Sequence, residues 1–112
     1  MTMNEDAENA AEAIRTINHT LSSRFAVPAP EVYGVLSELK LVAYRFPQAL
    51  TSLAEGLAIS LDEYDVYDNA GEPASSVAAC NASLQRAAML LAQAGEELEK
   101  AQSALSSQGY RD

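Results

Sequence analysis

The feature that most constrains this chain is a seven-residue repeat near its C-terminus. Val77, Leu84, Leu91, Leu98 and Leu105 stand at equal intervals, and three residues after each of the first four comes a small one: Cys80, Ala87, Ala94 and Ala101. A period of seven keeps one seam of an α-helix turned toward a partner helix along its whole length. Large residues at one seam position and small ones at the other predict a helix, over about 73–107, that lets its partner come close. Gly109 is placed to cap its end, with Tyr110 to Asp112 as a short tail. On this reading Ala94 lies inside the seam, and Cys80 is a buried small hydrophobe rather than a reactive thiol.

A second stripe supplies the partner. Val32, Leu36, Leu39, Ala43, Phe46, Leu50, Leu53, Leu57 and Tyr64 alternate by four and three almost to the end, with Ser60 the one polar interruption. Pro47 falls inside it. An interior proline removes a backbone hydrogen bond and costs a helix about 3 kcal/mol, yet the apolar phase runs through it unbroken. This predicts one helix over about 31–62, kinked at Pro47, with a break there as the alternative. Ala7, Ala11, Ile14, Ile17, Leu21 and Phe25 mark a shorter helix over about 5–24, opened by Thr2 and Glu5 at capping-box spacing and stopped by Pro28 and Pro30. The expected fold is all-α: a single domain, an elongated antiparallel bundle of three helices built on a coiled-coil-like hairpin.

Some apolar residues lie off these stripes. Leu41, Ile59 and Leu61 do so on the second helix, Met89 and Leu90 on the third. A hairpin with one short cover helix leaves them unburied, which predicts self-association through them, most simply as a homodimer.

Charge narrows the function classes. Sixteen Asp and Glu against seven Lys and Arg give a net charge of −9, which opposes binding to phosphate backbones and anionic membranes. The basic residues form no stripe of the kind nucleic-acid binding needs. No apolar run approaches the ~20 residues of a membrane span, and the acidic N-terminus lacks signal-peptide regions. The expectation is therefore a cytoplasmic protein that binds neither nucleic acid nor membrane. One cysteine permits no internal disulfide.

Motifs for chemistry are sparse. His19 is the sole histidine, without a second His or a Cys three or four residues away, so no zinc site is expected. There is no glycine-rich phosphate loop and no Gly-x-Ser-x-Gly turn; neither cofactor nor catalytic residue is assigned. The most distinctive surface is the connector over 62–72, where Asp62, Glu63, Asp65, Asp68 and Glu72 surround Tyr64 and Tyr67. The ligand order of an EF-hand is not met, so no metal is assigned. Aromatic area beside carboxylates suits a partner rich in Arg and Lys.

Within this connector, Tyr64-Asp-Val-Tyr-Asp68 matches a Tyr-x-x-x-Asp pattern. In that motif, and in being a small helical hairpin, the chain resembles the WXG100 group of type VII secretion substrates. The Trp-x-Gly turn that names the group is missing, since the chain has no tryptophan. The resemblance implies an exported helical-hairpin protein. From the residues themselves, the expected function is that of a non-enzymatic, acidic helical adaptor acting through protein–protein contacts. The alternatives are that exported protein, an acidic mimic of nucleic acid that blocks a basic partner, and a small enzyme or ligand carrier with a site between helices.

Overall fold

The computed structural model describes residues 1–109 and 111, so most of the expected tail lies outside the described residues. Three helices follow one another: α1, Met3–Ser22; α2, Ala29–Glu63; and α3, Pro73–Ala104. The Thr2 side chain caps α1, accepting from the Glu5 backbone N–H at 3.1 Å and donating to the Glu5 carboxylate at 3.2 Å. Pro30 and Pro73 sit in the first turns of α2 and α3, where a missing N–H costs nothing. The end of α3 comes earlier than expected. From Leu105 the backbone bonds shorten to residues three back, Leu105 to Gln102 and Ser106 to Ser103, a tightened last turn that stops the helix without Gly109.

Pro47 does not break α2, which is one helix of 35 residues. It lies half-buried against α3, so packing offsets what its ring removes. α2 and α3 form an antiparallel hairpin, and the molecule measures 66 × 25 × 24 Å. α1 packs against neither of them among the described residues. The chain is therefore a two-helix hairpin carrying a third helix rather than a three-helix bundle.

Half of each seam lies where the apolar spacing puts it and half does not. Leu36, Leu50 and Leu57 of α2 and Leu84, Leu91, Leu98 and Leu105 of α3 are half-buried, and Ala43 is buried. The second row is displaced by one residue. It comprises Lys40, Pro47, Ala54 and Leu61 on α2, facing Asn81, Ala88, Gly95 and Gln102 on α3. Phe46 and Leu53 are exposed instead, and so are Cys80, Ala94 and Ala101. The expectation of a buried Cys80 is overturned: the thiol is exposed because Asn81, one residue on, holds the seam position.

The reason for the displacement is visible at Gly95, which is buried on α3. A Cβ built there would stand 2.6 Å from Tyr44 Cε1 and 3.4 Å from the Ala43 Cβ. At this level the helices approach through Gly95 and Ala43, the two small residues buried there, while Phe46 is turned to the flank. Tyr44 then lies across Gly95, and its Oη donates to Glu99 Oε2 at 2.7 Å. Two amides hold the register. Asn81 Nδ2 donates to the Ala54 carbonyl at 3.0 Å, and Gln102 Nε2, near the other end, to that of Tyr33 at 3.3 Å. A polar side chain on a helical seam selects one alignment at some expense in stability.

Two predictions test this packing. Gly95→Leu forces α2 and α3 apart and should lower stability by about 1–3 kcal/mol through overpacking. Ala94→Leu, one residue away but exposed, should stay within about 0.5 kcal/mol in dilute solution; chemical denaturation reads both. The Tyr44 phenol is held above its ordinary pKa by its hydrogen bond to Glu99, then by desolvation and the charges of Glu99 and Glu96. A raised pKa in the folded state means stability that is complete below the unfolded tyrosine range and lost as pH rises through the folded value. Tyr44→Phe should remove that alkaline loss, measured as Tm against pH.

Candidate interaction surfaces

Three surfaces of the molecule stand out by their exposed apolar or charged residues. The first is the connector between α2 and α3, over 64–72. Tyr64 and Tyr67 project from it, 72 and 82% exposed, with Val66 between them. Asp62, Glu63, Asp65 and Glu72 are exposed around them. Asp68 differs in being half-buried, and its Oδ1 accepts from the Ala70 backbone N–H at 2.9 Å. Ser76 in the first turns of α3, and then that N–H, hold its carboxyl below the usual range. Asp68 thus holds a turn within the connector, where its backbone carbonyl also accepts from the Gly71 N–H, while the other four acids and both tyrosines face outward. The Tyr64-to-Asp68 pattern forms the turn of the packed hairpin rather than a segment trailing it. Among the described residues, no group of three or more His, Cys, Asp and Glu is placed to hold a metal ion.

The second surface is a flank of the hairpin. In an antiparallel pair, equivalent flanks of the two helices lie side by side, as the Tyr44–Glu99 bond shows on one side. The opposite flank of α2 carries Val35, Leu39, Val42, Phe46, Ala49 and Leu53 at steps of four and three. Val35, Val42, Phe46 and Leu53 are 40–50% exposed. Leu90 of α3 falls on this same flank by its place in the repeat and is 64% exposed. Sequence reading assigned Leu39, Phe46 and Leu53 to the hairpin interior and so missed this face; Val35 and Val42, in phase with them, were the available signal.

The residues expected to mediate self-association are dispersed. Leu61 is taken into the α2–α3 seam, and Leu41 is half-buried. Ile59, Met89 and Leu90 are exposed, but Ile59 points away from α3 and Met89 lies on the Tyr44 side. On that side an open groove of about 600 Å³ runs between the helices, lined by Leu50, Ala54, Leu84, Ala88 and Met89, with Asn81 at its floor.

The third surface is α1. Ile14 and Leu21 of its stripe are exposed, Ile17 is half-buried, and Phe25 just beyond the helix is fully exposed. Arg24 fixes the link to α2 through a two-pronged pair with Glu31, at 2.8 and 3.1 Å, and a bond to the Ala26 carbonyl. That pairing keeps the Glu31 carboxyl below its usual range. His19 is exposed in the last turn of α1. No helix of the described residues is long and apolar enough to cross a membrane.

The lowered Asp68 pKa sets a pH dependence. Its contribution is complete above the unfolded aspartate range and is lost as pH falls through the folded value. Asp68→Asn should therefore loosen the connector at neutral pH, read as faster amide exchange over 66–76, and should leave little difference from the wild-type chain in acid.

Comparison of the chain with protein-family models, with curated proteins and with solved structures finds no match.

Proposed function

We propose that this protein is a non-enzymatic helical adaptor that works through protein–protein contacts. The observation that carries the reading is how little the fold buries. The accessible surface is 8701 Å² for a chain of 11.9 kDa. A compact monomer of that mass exposes about 6,000 Å², so the excess is roughly 2,700 Å². An elongated shape accounts for part of it, and here elongation leaves apolar faces uncovered. Contiguous exposed apolar surface of this kind marks sites of interaction.

The connector gives the adaptor a second, chemically different contact. Tyr64 and Tyr67 offer aromatic area, and Asp62, Glu63, Asp65 and Glu72 offer negative charge around it. A partner face carrying Arg and Lys complements both. Charge there accelerates encounter, while the aromatic contacts slow dissociation.

Capture of host proteins on the full-length chain, with mass spectrometry, identifies the partner. Against that partner, replacing Asp62 and Asp65 together by Asn should lower the association rate several-fold and flatten its salt dependence. Tyr67→Ala should act on the dissociation rate. Binding unchanged by all three substitutions would reduce the connector to a link between helices.

A further inference from the structure

We infer that the second occupant of the apolar flank is another copy of this chain, and that the two copies exchange α1. The inference rests on the adaptor reading, and specifies one of its surfaces. Three observations carry it.

First, the chain contains both halves of an unmade contact. α1 presents Ile14, Ile17, Leu21 and Phe25 on one stripe and, among the described residues, packs on neither α2 nor α3. The α2 flank from Val35 to Leu53 is equally without cover. At 1.5 Å per residue α1 is about 30 Å long and the flank about 27 Å, so one fits the other end to end.

Second, α1 needs a partner to be a helix. An unpacked helix of 20 residues is marginal in water even with a good cap, because packing of the apolar face supplies most helical stability. The Arg24–Glu31 pair and the prolines that follow hold the link to α2 in a form that leaves α1 off its own hairpin. Exchange of one element between identical protomers is a low-cost route to a dimer.

Third, the area is right. A standard interface takes about 800 Å² from each partner and an obligate homodimer more than about 1,000 Å². The excess of roughly 2,700 Å² per chain, part of which elongation accounts for, is larger than the about 800 Å² that a standard interface takes from each partner.

Salt separates this occupant from a basic partner. Two chains of net charge −9 repel, so screening tightens a dimer, whereas it weakens attraction between an acidic and a basic surface.

Sedimentation equilibrium of the full-length chain from micromolar to high micromolar concentration, at low and high salt, is the test. The expected result is a monomer–dimer equilibrium that added salt shifts toward dimer. Leu21→Glu on α1 and Phe46→Glu on α2 alter exposed positions, so the hairpin keeps its helicity by circular dichroism. Each should weaken dimerisation about a hundredfold or more by burying an unpaired charge. A wild-type chain that stays monomeric throughout overturns the inference, as does a dimer that Leu21→Glu leaves intact. A monomeric chain that still captures a basic partner overturns the exchange alone and leaves the adaptor standing. A dimer with no captured partner supports the exchange and removes the adaptor.

Discussion

Everything in this molecule depends on how closely α2 and α3 approach at Gly95. With no side chain on that residue, Tyr44 lies flat against α3 and reaches Glu99, and Ala43 becomes the buried apolar centre of the hairpin. Only small residues tolerate such proximity, so the contact line passes through Ala43, Ala54, Ala88 and Gly95. Close helices give dense packing per contact, but a line of alanines buries little area at about 25 cal/mol per Å². The hairpin is thus well specified and thinly buttressed. Its alignment comes from two amides that reach across to backbone carbonyls.

Phe46 and Leu53 stand on the flank, in phase with Val35 and Val42. The chain thereby carries a second apolar surface that its own fold does not use. α1 is likewise uncovered, an amphipathic helix that packs on neither α2 nor α3 among the described residues. At the connector end of the hairpin, Asp68 holds a local turn, and Tyr64 and Tyr67 face solvent. An adaptor with an apolar flank for one contact and an acidic aromatic tip for another is the function these surfaces support.

Much of the architecture was legible in the residues. The three helices, the cap at Thr2, the antiparallel pairing and an α2 continuous through Pro47 all follow from periodicity and caps. The seam was legible by half. Leu84, Leu91 and Leu98 recur at seven and lie where the repeat puts them, but the companion row was sought three residues on, among Cys80, Ala87, Ala94 and Ala101, rather than four on. Apolar spacing alone cannot distinguish a row three residues on from a row four on, because both lie beside the first on a helix. What decides is size at the crossing point, and Asn81, Gly95 and Gln102 do not look like core until Gly95 is seen against Tyr44. The packing of α1 was not legible either. Its stripe shows that it has a partner surface, not which chain supplies it. In the connector, composition singled out the exposed tyrosines, while the structural duty of Asp68 depends on where Ser76 and Ala70 come to lie.

The central claim is that the hairpin stands alone and α1 does not pack on it. Amide hydrogen exchange of the dilute, full-length chain tests this most directly. The account predicts strong protection along α2 and α3, greatest around Ala43 and Gly95, with α1 exchanging nearly as fast as an isolated helix. Protection of α1 equal to that of α2 in dilute solution would show α1 packed within its own chain and would contradict the account.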